Sequence, residues 1–87
     1  MLKITLPPAR LFLRKFEIES PDGSMWDGLL YRSSTREGGR RIIVLDHGIP
    51  LFDTDYHYDL GNARHALDVW LADQVVNHES QIDLALI

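Results

Sequence analysis

Apolar residues recur at helical spacing from about residue 61 to residue 77. Steps of three and four place them on one stripe, which is typical of a helix that packs one face on a core. Asp59 and Asn62 are both suitable N-caps, because their side chains can accept a bond from a backbone N–H one turn on. The pattern predicts one amphipathic helix in which Trp70 contributes most to the core. The stripe consists of Ala63, Ala66, Leu67, Trp70, Leu71 and Val75.

Four stretches before this helix favour β-strands: residues 2–6, 11–20, 25–33 and 40–46. Turn-forming residues at 20–23 and 34–39 separate the last three, so an antiparallel meander is the simplest topology. Gly28 indicates a bulge in its strand. The unbroken apolar run at residues 42–45 predicts a strand that is central in the sheet or covered on both faces.

These elements predict a single α+β domain over residues 1–87, with an antiparallel sheet of three to five strands and one helix packed across one face. The tail at residues 81–87 alternates weakly between apolar and polar positions. It is expected to form an edge strand, either within the chain or as the seam of a homodimer.

Composition narrows the function classes. The chain has no cysteine, which excludes disulfides, thiolate zinc sites and thiol nucleophiles. We expect a soluble, cytoplasmic protein, because the N-terminal stretch lacks the pattern of a signal peptide and no apolar run approaches the roughly 18 residues of a membrane span. The serines lie in no recognisable nucleophile motif, so we expect a non-enzymatic protein without a cofactor.

Charge is divided unevenly along the chain. Residues 1–45 hold eight basic and five acidic residues, a balance of +3, whereas residues 46–87 hold one arginine and eight acidic residues, a balance of −7. The formal net charge is therefore −4. Such a division indicates either two faces with different partners or two halves that neutralise each other on folding.

The acidic half contains a segment in which carboxylates alternate with aromatic residues. Charge of this density is about half that of one DNA strand, so the segment is at best a partial DNA mimic. Aromatic side chains supply the anchors that protein interfaces need, which favours docking on a basic protein partner. The predicted partner-binding residues are Phe52, Asp53, Asp55, Tyr56, Tyr58, Asp59, Asp68 and Asp73.

Two alternatives use other residues. Carboxylate and imidazole groups suit a divalent metal, and Asp53, Asp55, His57 and Asp59 would share one face of an extended segment, because residues two apart point the same way. This pattern allows a small metal-binding or metal-dependent hydrolase-like protein. A basic sheet face beside Tyr31 would instead make a weak nucleic-acid binder, although the overall acidity opposes it. The metal candidates are Asp46, His47, Asp53, Asp55 and His57. The basic candidates are Arg10, Arg14, Lys15, Arg32, Arg36, Arg40 and Arg41.

In size, acidity and lack of a catalytic motif, the chain is similar to small phage-encoded inhibitors of bacterial defence, including anti-CRISPR proteins. This likeness is one of class and rests on no matched residue. It implies an inhibitor of a nucleic-acid-handling protein that acts through the acidic aromatic segment and the outer face of the helix.

Overall fold

A computed structural model describes the backbone of residues 3–85 and the side chains of residues 3–79. Strands β1 (Phe12–Glu19), β2 (Met25–Arg32), β3 (Arg40–Asp46) and β4 (Ile49–Asp53) form one antiparallel sheet in sequence order. A single turn of 3-10 helix (Ala9–Leu11) precedes β1, and helix α1 (Leu60–Ala85) follows β4 and packs on the sheet. The predicted α+β fold, with one helix across an antiparallel meander, is confirmed.

Tight hairpins impose this topology. In the turn between β1 and β2, Gly23 has a φ of 89°, which favours glycine, and the Ser20 N–H donates to the Ser24 carbonyl at 2.8 Å. His47 and Gly48 join β3 to β4 with φ values of 48° and 82°. Two consecutive positive φ values define a type I′ turn, whose twist matches that of the strands it joins.

Strand β3 lies at the centre of the core, as its apolar run predicts. Ile42, Ile43 and Val44 are fully buried. Ile42 and Val44 pack under α1 with Ile18, Ala63 and Leu67. Ile43 lies on the opposite sheet face in a smaller cluster with Leu11 and Tyr31, to which Ile4, Leu29 and Leu45 add partly buried surface.

Helix α1 begins where the sequence predicts and packs through most of the predicted stripe. Asp59 is the N-cap, because its side chain accepts the Asn62 N–H at 2.8 Å. Trp70 is half-buried and stacks on Phe52, with ring centroids 4.7 Å apart and an interplanar angle of 4°, and its centroid lies 5.5 Å from that of Trp26. The predicted stripe is wrong at Val75, which is exposed, because Gln74 and His78 face the β1–β2 hairpin on that turn instead.

The structure also differs from the sequence-based predictions at several local points. Residues 3–6 form irregular chain rather than a strand, because Pro7 and Pro8 cannot extend a ladder, and Leu2 lies outside the described residues. Residues 81–85 continue α1, so they form no edge strand, and residues 86 and 87 lie outside the described part of the chain. His78, one residue beyond the predicted end of the helix at residue 77, therefore lies within α1. Residues 49–53 form a strand that the sequence did not indicate, since Pro50 interrupts its pattern.

Gly28 forms no bulge, so this prediction is wrong as well. It pairs regularly with Phe16 on one side and Val44 on the other, whereas the register shifts lie at Phe12/Arg14 and Val44/Leu45. A Cβ at this position would lie 2.5 Å from the Phe16 ring. Glycine is therefore required because the Phe16 ring lies directly over the backbone of β2.

Candidate functional site

Residues 54–59, which we term the tyrosine loop, connect β4 to α1 and are held at both ends. The Thr54 hydroxyl accepts the Ile42 N–H at 2.9 Å and donates to the Asp55 carbonyl at 2.8 Å. His57 and Arg40 exchange two backbone hydrogen bonds of 2.8 and 3.0 Å. Since Asp59 caps α1, the loop is fixed to β3 and to the helix at three points.

The two tyrosines of the loop project into solvent. Tyr56 is 41% exposed and Tyr58 is 64% exposed. The Arg36 guanidinium carbon lies 3.6 Å from the Tyr58 ring centroid, and that of Arg41 lies 5.4 Å from the Tyr56 ring centroid. Cation–π contacts of this kind orient an exposed ring without burying it. The loop therefore presents two pre-oriented aromatic rings.

Asp55 adopts a left-handed conformation with a φ of 61°, which aspartate tolerates better than most residues. Its side chain accepts the Tyr56 N–H at 2.9 Å, and its own N–H donates to Asp53 at 2.8 Å. The chain therefore turns at Asp55 instead of continuing as a strand. The prediction that Asp53, Asp55, His57 and Asp59 share one face of an extended segment is wrong.

Two predicted partner-binding residues are committed to internal contacts. Phe52 packs against Trp70 under α1. Asp53 accepts two hydrogen bonds from Arg41, and the side chains of Asp53 and Arg41 are only 20% and 17% exposed. Burial favours the neutral carboxyl, but the bonds from Arg41 and from the Asp55 N–H outweigh it and hold the pKa of Asp53 below its usual value. The same ion pair raises the pKa of Arg41.

The remaining predicted residues do not form one patch. Asp68 and Asp73 are exposed on α1, but Asp68 lines a groove beside β1, at the opposite sheet edge from β4. Asp73 lies fourteen residues after Asp59, which corresponds to roughly 21 Å along a helix. Only Asp55, Tyr56, Tyr58 and Asp59 are placed together.

The metal candidates are divided between two places. Asp46 and His47 lie at the β3–β4 turn, where their side chains hydrogen-bond to each other at 2.8 Å in an exposed position. Asp53 is paired with Arg41, and the His57 ring lies 3.0 Å from the Thr54 carbonyl through Nε2. Within the described residues, the structure brings no three histidine or acidic side chains close enough to hold a metal ion.

The basic candidates likewise do not form an accessible face with Tyr31, because Arg41, which lies opposite Tyr31, is paired with Asp53. Arg14, Arg32 and Arg40 occupy positions on the α1 side of the sheet, since their cross-strand neighbours include Leu30 and each other. Tyr31 belongs to the cluster on the opposite face and is buried. The arrangement of Arg14, Arg32 and Arg40 or Arg41 beside an accessible Tyr31 is therefore not present.

Ser20, Asp22 and Ser24 form a polar cluster in the β1–β2 hairpin. Ser20 and Ser24 both donate to Asp22, and these bonds, together with the Ser24 N–H, hold the pKa of Asp22 well below its usual value. Among the described side chains, no serine hydroxyl hydrogen-bonds to a histidine. This cluster closes the β1–β2 hairpin.

A shallow pocket of about 380 Å³ separates the tyrosine loop from the β2–β3 hairpin. Arg36 enters it from the hairpin, a position that sequence spacing did not connect with Tyr58. The only sequence signal for the contact between Arg36 and Tyr58 was the turn-forming stretch at residues 34–39, which contains Arg36 and leads the chain back into β3. The pocket is lined by Ser33, Ser34, Thr35, Arg36, Gly39, Tyr56, His57 and Tyr58.

No protein-family model matches the chain, and no curated protein or solved structure is significantly similar to it. Within residues 3–85, the structure contains no helix with both the length and the apolar character that crossing a membrane requires.

Proposed function

We propose that this protein is a non-enzymatic protein-binding module whose contact surface is centred on Tyr56 and Tyr58. The observation that carries the proposal is the pair of exposed rings on a loop that is fixed at three points. A fixed loop loses little conformational entropy on binding, so its aromatic surface contributes efficiently to affinity. Tyrosine and arginine are also among the side chains that are enriched at interface hot spots.

Charge supports a basic partner. Asp55 and Asp59 are exposed beside the tyrosines, and the whole chain carries a net charge of −4. Long-range attraction raises the rate of encounter with a basic surface, while the tyrosines provide the close contact. Asp68 and Asp73 contribute to this attraction from a distance. A nucleic-acid-handling protein with a basic groove is the proposed target, which this protein would inhibit by occupying the groove.

The proposal is tested by capturing partners from cell lysate with the immobilised protein at about 0.05 M and about 0.5 M salt. We expect a basic protein that is retained at low salt and released at high salt. The double variant Tyr56→Ala/Tyr58→Ala should weaken its binding by about 2–4 kcal/mol, or thirtyfold or more, in a titration with the purified partner. Met25→Ala, which truncates an equally exposed apolar residue far from the loop, is the matched control.

A second pair of variants tests the charge. Asp55→Asn and Asp59→Asn remove charge but keep the left-handed turn and the helix cap, because asparagine fits both positions. Both should slow association and reduce its salt dependence. If the partner binds the tyrosine variant as tightly as the wild type, the tyrosine loop is not the contact surface.

A further inference from the structure

The two edges of the sheet differ in their capacity to pair with another strand. Strand β4 has five residues and includes Pro50, which lacks an N–H. Strand β1 has eight residues without proline, and its only neighbour among the described strands is β2. No backbone hydrogen bond from the described residues reaches the outer edge of β1. After the register shift at Phe12/Arg14, β1 therefore offers a regular row of unpaired N–H and C=O groups to another strand.

The pairing of β1 with β2 determines which residues of β1 direct their backbone N–H and C=O groups away from the sheet. The Ser20 N–H points across the hairpin to Ser24, and this direction alternates along an antiparallel strand. Lys15 and Glu17 therefore direct their N–H and C=O groups outward. A partner strand can bond to the chain at these two residues.

An apolar groove of about 400 Å³ lies directly behind this edge, between β1 and α1. It forms because α1 packs over the centre of the sheet and leaves the α1 side of β1 incompletely covered. Phe16 is only half-buried there. The apolar lining residues include Phe16, Ile18, Leu30, Leu67 and Leu71.

We propose that a second copy of this chain pairs with β1 in antiparallel orientation, which joins two four-stranded sheets about a twofold axis at Phe16. In such a pair, the residue on the axis lies opposite its own copy. An axis at Lys15 or at Glu17 would place like charges opposite each other. An axis at Phe16 places Lys15 opposite Glu17 of the second copy, twice, and places the two Phe16 residues opposite each other on the α1 side of the joined sheet.

Charge on the neighbouring strand favours the same register. Glu17 lies directly opposite Asp27 on β2, which places two carboxylates side by side. The Lys15 ammonium group is 3.5 Å from Asp27, and no cation of the described residues pairs with Glu17. Lys15 of the second copy supplies that cation. Opposite charges across a strand pair stabilise it, and like charges destabilise it.

The test measures molecular mass by sedimentation from about 1 µM to about 1 mM. The wild type should reach twice the chain mass of 10.0 kDa. Lys15→Glu and Glu17→Lys each place like charges opposite each other in both symmetric contacts, so each should dimerise at least about tenfold more weakly. Circular dichroism confirms that each variant is folded.

Charge complementarity makes a stricter prediction. An equimolar mixture of the Lys15→Glu and Glu17→Lys variants should form a heterodimer, because each residue then faces an opposite charge. The double variant Lys15→Glu/Glu17→Lys should dimerise as the wild type does. A wild type that stays monomeric throughout the range overturns the proposal, and so does a dimer that neither single variant weakens.

This proposal is independent of the tyrosine loop, because β1 and β4 are opposite edges of the sheet. Tyr56→Ala/Tyr58→Ala should leave the dimer intact, and the β1 variants should still capture the basic partner. Failure of one proposal is therefore distinguishable from failure of the other.

Discussion

The two faces of the sheet are stabilised by different interactions. On the α1 face, aliphatic side chains from β3 and α1 are joined by the aromatic contacts among Trp26, Phe52 and Trp70. On the opposite face, a smaller apolar cluster lies beside the ion pair between Arg41 and Asp53. The α1 face therefore depends on buried area and shape, whereas the opposite face also depends on charge and hence on pH.

The largest expected effect concerns the α1 face. Trp70→Ala removes the ring that stacks on Phe52 and contacts Trp26, and we expect unfolding free energy to fall by about 3 kcal/mol. Chemical denaturation followed by circular dichroism measures this change. Val69→Ala truncates the adjacent residue of α1, which is 58% exposed, and should change stability by less than about 0.5 kcal/mol. Equal effects of the two substitutions would contradict a structural role for the aromatic contacts.

A somewhat smaller effect is expected from the apolar cluster on the opposite face. Leu11 is buried against Tyr31 and Ile43, so Leu11→Ala should lower the unfolding free energy by about 2–3 kcal/mol. Leu13→Ala, at an exposed position two residues later, is the control. If Leu11→Ala has no effect, residues 3–11 do not cover this face in solution.

The smallest effect, and the one that depends on pH, concerns Asp53. Asp53→Asn should cost about 1–2 kcal/mol at neutral pH, a value at the low end for charged hydrogen bonds because solvent screens a partly exposed pair. The pKa of Asp53 is lowered in the folded state, so its stabilisation is present above the unfolded pKa of about 4 and is lost as pH falls through the folded value.

The measurement is thermal unfolding of the wild type and Asp53→Asn from neutral pH to below pH 4. The two stabilities should converge as the solution becomes more acidic. The pKa of Asp22 is lowered as well, so the stability of Asp53→Asn should still fall somewhat in acid. Asp22→Asn is the matched control, because Asp22 lies at the opposite end of the sheet. A difference between the wild type and Asp53→Asn that stays constant with pH would exclude an electrostatic origin.

The sequence by itself determined the elements whose signals are local. Helical spacing and a cap residue located the start of α1, since both depend on residues within one or two turns. Proline, glycine and serine located the β1–β2 hairpin for the same reason, and the unbroken apolar run at residues 42–45 indicated a strand covered on both faces. The α+β class follows from these elements, because one apolar sheet face requires a helix to cover it.

Only the tertiary structure decided which polar and aromatic residues are free to bind. The alternation of acidic and aromatic residues made Phe52, Asp53, Tyr56 and Tyr58 equally good candidates for partner binding. In the fold, Trp70 and Arg41 engage the first two, while the turn at Asp55 leaves the tyrosines exposed. Arg41 and Trp70 lie twelve and eighteen residues away from the groups they contact, and side-chain spacing within a segment carries no information about such distant partners.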